Sequence, residues 1–146
     1  MQYAILIGGI LMEESELEML LETHGVLPTP QRLEVAGILL AQPQHLSADQ
    51  LIDQLRRKGS RVSKATVYNT LNLFNARGLV REITVDPTRK FYDSTTNAHH
   101  HFYNMDTGEL SDVPDEQVNF MRLPRLPAGT EQHSVEVLIR LRAKTG

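Results

Sequence analysis

A change of hydrophobic period at Gly78 is the feature that most limits what this chain can fold into. Before Gly78 the apolar residues recur at the spacing of amphipathic helices, whereas residues 79–85 follow the period of two that is typical of a strand. Asp86-Pro87-Thr88-Arg89 then predicts a turn, and residues 90–93 predict a returning strand. Helices followed by a β-hairpin are the element order of a winged helix-turn-helix module.

Four helices are predicted ahead of this hairpin, each bounded by residues that begin or end helices. Glycine after the last apolar position indicates a C-cap, Ser or Thr before the first indicates an N-cap, and proline fits the first helical position. Ser47 with Gln50 three residues later is a capping box. The boundary residues are, in chain order, Gly25 after helix 14–24, Thr29 with Pro30 before and Pro43 after the second helix, Ser47 and Gly59 around the third, and Ser63 and Gly78 around the fourth.

The chain beyond the hairpin predicts a second, smaller domain. Small polar residues at 95–98 predict a hinge, and strands are predicted at 99–105, 110–113 and 132–142. Val135, Val137, Ile139 and Leu141 share one face of the last strand. The expected fold class is therefore α+β, with a winged-helix domain at 13–94 and a small α/β domain at 99–146.

Residues 1–12 are an uncertain N-terminal extension. The apolar run at 4–12 is shorter than the about 20 residues of a membrane span and lacks the basic flank of a secretory signal, so we expect a cytoplasmic protein without a membrane anchor. An acidic helical pattern follows Met12, and we hypothesise that translation starts there. The alternative is that the apolar run extends the first helix or packs on the core.

Composition restricts the chemistry. The 146 residues contain no cysteine, which excludes disulfides, thiolate zinc sites and thiol redox chemistry, so any bound metal must use histidine, carboxylate or water. The formal net charge is −3, but residues 56–90 hold nine basic and two acidic residues, a local charge of +7. Such a basic module is typical of nucleic-acid binding.

The fourth predicted helix has two unlike faces. Val67, Leu71 and Phe74 form an apolar stripe, which leaves a small, aromatic and amide-rich face towards solvent. Asn side chains pair with adenine edges, Tyr and Ala contact thymine methyl groups, and flanking basic residues hold phosphates. The alternative is an ordinary solvated helix. The predicted DNA contacts are Arg57, Arg61, Lys64, Ala65, Tyr68, Asn69, Asn72 and, in the wing, Arg89.

Histidines and carboxylates offer a metal site without sulfur. His99-His100-His101 lies in a predicted strand, so the first and third imidazoles project to one side. Three imidazoles and two carboxylates suit Fe(II), Mn(II) or Zn(II). The alternative is a solvated histidine run, a surface His45 and two turn aspartates. The predicted metal ligands are His45, Asp93, His99, His101 and Asp112.

Two further histidines, His100 and His133, are candidates for a haem or a second metal. A small metal enzyme that uses His99 and His101 is a remote alternative. The basic winged module and the lack of a suitably spaced downstream acidic residue argue against it, so we expect no enzymatic activity.

The chain resembles the ferric uptake regulator (Fur) superfamily from Glu13 to Arg142. The resemblance is carried by Leu27-Pro-Thr-Pro-Gln-Arg32, His45-Leu-Ser-Ala-Asp49, Ala65-Thr-Val-Tyr-Asn-Thr-Leu71, Phe91-Tyr-Asp93 and His99-His-His101. It implies a winged helix that binds an A/T-rich inverted-repeat operator in double-stranded DNA, and a C-terminal α/β part that forms a homodimer. It also implies a regulatory metal, Fe(II) or Mn(II), held by the five predicted ligands.

The chain departs from most of the superfamily because it lacks the cysteines that hold a structural zinc. In this respect, and in Leu126-Pro-Ala-Gly and Val137-Leu-Ile-Arg-Leu-Arg142, it is similar to the iron response regulator (Irr) branch, whose members sense iron through haem. The branch's Cys-Pro haem motif is also absent here. The five metal residues equally resemble the peroxide regulator (PerR) branch, in which peroxide oxidises a liganding histidine.

Overall fold

The computed structural model describes residues 4–7, 10–40, 42–120 and 122–145, with backbone alone for 4–7 and 10–12. The chain divides into two compact units, Met1–Thr96 and Asn97–Gly146.

The first unit contains the four predicted helices. Thr29 Oγ1 accepts the Arg32 N–H at 3.3 Å, and Ser47 and Gln50 form both halves of the predicted capping box. Because the first turn of a helix has amides without helical partners, these side chains fix where the second and third helices begin. The helices are α1 (Glu14–Thr23), α2 (Pro30–Leu39), α3 (Ala48–Arg57) and α4 (Lys64–Ala76).

A short hairpin precedes α1. Strand β1 (Ala4–Ile7) pairs antiparallel with β2 (Ile10–Glu13), and α1 begins only at Glu14. The expectation that the apolar run extends the first helix is therefore wrong. Side-chain packing of the run, and hence its contact with the core, lies outside the described residues.

Three strands form the larger sheet of the first unit, with β5 (Arg89–Asp93) between β3 (His45–Ser47) and β4 (Arg81–Asp86). The β4–β5 hairpin is the predicted one, whereas β3 was not predicted because three residues are too few to show a period. Gln44 holds the start of β3 in place. Its backbone N–H donates to Ser94 Oγ at 3.0 Å, and its side-chain Nε2 donates to the Ile38 carbonyl at 2.6 Å. The side chain thus satisfies a carbonyl at the end of α2.

The apolar core of the first unit lies among its helices. The predicted stripe of α4 is fully buried there, together with leucines from α1, α2 and α3 and with Tyr92 from β5. No described helix combines the length and the apolar character needed to cross a membrane.

The second unit is a three-stranded sheet. Strand β6 (His100–Asn104) lies between β7 (Leu110–Val113), which is antiparallel to it, and β8 (Leu138–Leu141), which is parallel. Among the described residues of this unit the helical structure is limited to a 3-10 turn at Asp115–Gln117, so the expected α/β domain is a β domain. Helix formation after β7 is opposed by prolines that remove amide donors, at Pro114, Pro124 and Pro127.

The predicted strand 132–142 is also shorter than expected, because its ladder begins at Leu138. The Val137 amide donates to Nδ1 of His100 at 2.9 Å instead of to a strand carbonyl. Val137 and Val135 therefore do not belong to the strand, although Ile139 and Leu141 share a face as predicted.

We expect Ser47→Ala to lower the free energy of unfolding by about 1 kcal/mol, because the Gln50 amide loses its acceptor. Urea denaturation followed by circular dichroism measures this loss. Ser134→Ala, which removes an exposed hydroxyl bonded to Glu136, is the control and should change the free energy by less than about 0.5 kcal/mol. Equal losses in the two variants would contradict the capping role.

Candidate metal centre and nucleic-acid interface

The first unit places an imidazole and a carboxylate side by side. His45 on β3 is opposite Asp93 on β5, and Arg81 on β4 is opposite Asp93 on the other side. Residues opposite one another in an antiparallel ladder have Cβ atoms about 5 Å apart and share a face of the sheet. Asp93 is only 1% exposed, and its Oδ1 accepts the Thr95 amide at 2.8 Å. A buried carboxylate is stable only when hydrogen-bond donors or positive charges lie beside it. The end of β5 therefore favours a cation next to Asp93.

The second unit gathers two imidazoles around one carboxylate. His101 on β6 is opposite Asp112 on β7. The Nε2 atoms of His99 and His101 lie 3.1 and 3.4 Å from Oδ1 of Asp112, and the two ring centroids are 4.2 Å apart. Three potential donor atoms therefore converge at one end of β6.

The hydrogen bond of His99 fits a cation beside Asp112. Nδ1 of His99 lies 2.6 Å from the carbonyl oxygen of Asn97, which can only accept, so Nδ1 carries the proton. In the neutral ring Nε2 then presents a lone pair to a carboxylate oxygen, which also accepts. Two acceptor atoms therefore face each other, and a proton or a metal cation between them removes the repulsion. Histidines that bind metals commonly donate their other N–H to a backbone carbonyl, as His99 does.

The predicted haem or second-metal histidines have different surroundings. His100 is buried, its ring meets Phe120 edge-on at 5.9 Å, and its Nδ1 accepts the Val137 amide. Only Nε2 of His100 is therefore left for a metal. His133 is exposed in the segment before β8.

Helix α4 presents the predicted polar face to solvent. Val67, Leu71 and Phe74 are fully buried, whereas Tyr68 is 43% exposed. This arrangement leaves amide and aromatic groups on one surface with basic residues at its start. The predicted contact residues that lie exposed on or just before α4 are Arg61, Lys64, Ala65, Tyr68, Asn69 and Asn72.

Local ion pairs and turns restrain the remaining predicted contacts. Arg57 on α3 forms an exposed ion pair with Asp53 at 2.7 Å. In the wing turn Asp86 Oδ1 accepts the amide and the hydroxyl of Thr88, both at 2.8 Å, and these bonds lower the pKa of Asp86. The turn is thereby held in one shape, and it presents the exposed Arg89 at its end.

A groove of about 230 Å³ beside α4 was missed by the sequence analysis. It joins the start of α2 to the outer part of α4, and Arg32 brings a positive charge to it. Arg32 is the first basic residue of the chain, but local spacing does not show that the start of α2 meets α4. The lining residues are Thr29, Gln31, Arg32, Thr66, Asn69, Thr70 and Leu73.

Tyr92 joins the sheet to the apolar core of the first unit. It lies on β5 opposite Glu82 and belongs to the buried core. Burial raises the pKa of its hydroxyl, and the charges of Glu82 and Tyr68 raise it further.

The chain matches the Ferric uptake regulator family over residues 23–138. It is 32% identical over 99 residues to the peroxide-responsive repressor PerR of Staphylococcus aureus (strain USA300), and the match spans 68% of this chain and 67% of PerR. The chain therefore belongs to the ferric uptake regulator family. It is a metal-responsive transcriptional regulator, and the alternative of a small metal enzyme is wrong.

Solved structures share its fold. The ferric uptake regulator from Pseudomonas aeruginosa with manganese is 25% identical, with a TM-score of 0.65 over 88% of this chain and 98% of that one. The regulator from Vibrio cholerae is 23% identical, with a TM-score of 0.69 over 86% and 98%. The predicted α+β class, helices with a small sheet followed by a C-terminal domain, is confirmed.

We expect stability to fall above the ordinary tyrosine pKa of 10.0 and expect Tyr92→Phe to reduce that fall. The unfolded chain releases the phenol proton first, whereas the folded chain retains it to higher pH. The contribution is thus fully present below 10.0 and is lost as pH rises through the raised pKa. Urea midpoints at neutral pH and about one unit above the ordinary value measure the slope.

Tyr68→Phe is the control, because it removes only the smallest of the three causes and should keep most of the slope. Identical slopes for the wild type and Tyr92→Phe would refute the assignment to Tyr92.

Proposed function

We propose that this protein is a homodimeric, cytoplasmic repressor that binds an A/T-rich inverted-repeat operator when it holds a divalent metal ion. The ion is Fe(II) or Mn(II), with Zn(II) able to replace it in vitro, and the ligands are His45, Asp93, His99, His101 and Asp112. The observation that carries the proposal is the convergence of His99 and His101 on Asp112, in a family of metal-responsive regulators.

Each unit holds an incomplete set of metal ligands. The first offers one imidazole and one carboxylate, and the second offers two imidazoles and one carboxylate. Such a set, without thiolate, suits Fe(II), Mn(II) or Zn(II). A divalent ion shared by both would supply positive charge to the carboxylates and link the units. Strand pairing holds His45 against Asp93, and the Asn97 carbonyl orients His99, so the ligands are organised in advance.

Linkage of the units is the means by which the metal is proposed to control DNA binding. A ligand shifts an equilibrium only by its differential affinity for the states, so the ion must favour the arrangement that fits the operator. In a dimer, two α4 helices then enter successive major grooves, and the basic module holds the phosphates.

We expect Mn(II) to strengthen operator binding by at least about tenfold at fixed salt, and Asp112→Asn to abolish that gain. Asp112 faces the imidazoles of His99 and His101, so its loss removes a charge that the ion needs. Calorimetric titration with Mn(II) and fluorescence anisotropy with operator duplex measure the two steps. Asp115→Asn, at an exposed acid of the 3-10 turn, is the matched control. Unaltered Mn(II) affinity in Asp112→Asn, or weaker operator binding with Mn(II), would overturn the proposal.

We expect Tyr68→Ala and Asn69→Ala each to weaken operator binding by about tenfold and to relax sequence preference, because both lie on the exposed face of α4. The operator is first selected from a random duplex pool with the Mn(II)-loaded wild type, and affinities are compared at one salt concentration. Gln117→Ala, at an exposed side-chain amide of the 3-10 turn outside α4, is the control. Wild-type affinity and consensus in both variants would refute this role for α4.

Peroxide sensing is the second candidate function. It is supported by the 32% identity to a peroxide-responsive repressor and by the presence of all five His and Asp residues. The test is exposure of the Fe(II)-loaded protein to hydrogen peroxide, followed by peptide mass spectrometry. Addition of one oxygen, about 16 Da, to His45 or His99 supports it. Unmodified histidines after loss of operator binding count against it.

An Irr-like response to haem is the finer alternative, supported by the absence of cysteine and by Leu126-Pro-Ala-Gly. Its candidate ligands are His100 and His133. Haem titration should then give a Soret band that is lost in His100→Ala and His133→Ala variants, together with loss of operator binding. Titration without a saturable band would exclude it.

A further inference from the structure

The second unit has very little core of its own. Among its described residues only Tyr103, Leu110 and Val113 are buried apolar side chains, whereas the large apolar cluster of the chain lies wholly within residues 17–92. Units below about 70 residues rarely gain enough free energy from one core, and disulfides, metals or oligomerisation compensate. With no cysteine in the chain, disulfides and thiolate zinc are excluded.

One segment of this unit, residues 118–137, contacts its own sheet near its two ends, where Phe120 and Val137 meet His100, and we call it the arm. No described residue of the arm belongs to a helix or strand, and its internal backbone bond joins Thr130 to Pro127 within a turn. Prolines at 124 and 127 hold the chain extended. Three of its large apolar side chains, Phe120, Leu123 and Leu126, are 44 to 47% exposed.

The sheet of the same unit also has an uncovered apolar surface. Ile139 and Leu141 share one face of β8 and are 37 and 36% exposed. They continue the face that carries Phe102 on β6, opposite Ile139 in the register. Strand β8 is an edge of the described sheet, with β6 as its neighbour.

From these observations we infer that the arm of one copy of the chain packs on the sheet face of a second copy. The arm of the second copy packs in the same way on the sheet face of the first. The inference deepens the proposed homodimer and rests on it. Leu123 and Leu126 of the arm and Ile139 and Leu141 of the sheet face are exposed and belong to the same chain, so one two-fold axis covers both surfaces twice. Exchange also supplies the apolar burial that the second unit lacks. The prolines already hold the arm extended, so the arm loses less conformational entropy when it docks.

The chain without cysteine allows a direct test with introduced thiols. Leu123→Cys and Ile139→Cys variants of the full chain are co-expressed with different affinity tags, purified through both tags and treated with a short bis-maleimide. Arm exchange predicts a covalent species of two chains joined between positions 123 and 139. The double variant in one chain provides the comparison, since an arm that folds onto its own sheet gives a link within the monomer. A link within the monomer, with none between copies, overturns the inference.

Light scattering separates this inference from the proposed function. Leu126→Asp should raise the dimer dissociation constant at least about tenfold, whereas Met19→Asp, at a 67% exposed apolar residue of α1, should leave it unchanged. Circular dichroism checks that the helices of the first unit persist in both variants. A dimer of wild-type strength in Leu126→Asp refutes arm exchange and leaves the homodimer standing, whereas a monomeric wild type refutes the homodimer as well.

Discussion

Pairing along both sides of β5 is the constraint on which the first unit depends. Strand β3 is only three residues long and has β5 as its neighbour in the sheet, and its last residue, Ser47, is also the N-cap of α3. The same ladder therefore sets the position of a helix and of His45. At its far end β5 begins at Arg89, and at its near end it buries Asp93. A paired strand rises about 3.3 Å per residue with little freedom, so the wing and Asp93, a proposed metal ligand, are joined by one stiff element.

Helix positions were predictable from the sequence because their signals are local. The Ser47 and Gln50 capping box and the buried stripe of Val67, Leu71 and Phe74 depend on residues within one or two turns. Strand β3 and the groove at Arg32 were not predictable in this way, since they depend on partners about 50 and 35 residues away, beyond any local period. Strand β8 was predicted too long because a side chain, His100, takes the amide of Val137 that a ladder would use.

The proposed metal ligands show the same division between local and long-range information. Their types, and the absence of sulfur, follow from the residues alone. Register was needed to show that His45 faces Asp93 and that His101 faces Asp112, because a shift by one residue turns a side chain to the other face. The contact of His99 Nδ1 with the Asn97 carbonyl required the position of one backbone oxygen, which no spacing rule provides.

The absence of cysteine separates two kinds of chemical signal. Oxidants and electrophiles that modify proteins through sulfur, by disulfide exchange, glutathionylation or nitrosylation, find no thiol on this chain. A relative that holds a zinc with thiolates would lose both its metal and its fold stability when those thiols oxidise. Here the fold of the second unit uses no thiol, so it does not change with the thiol redox state of its surroundings. The redox state of thiols and the metal occupancy of the proposed imidazole and carboxylate ligands therefore act on this protein independently of one another.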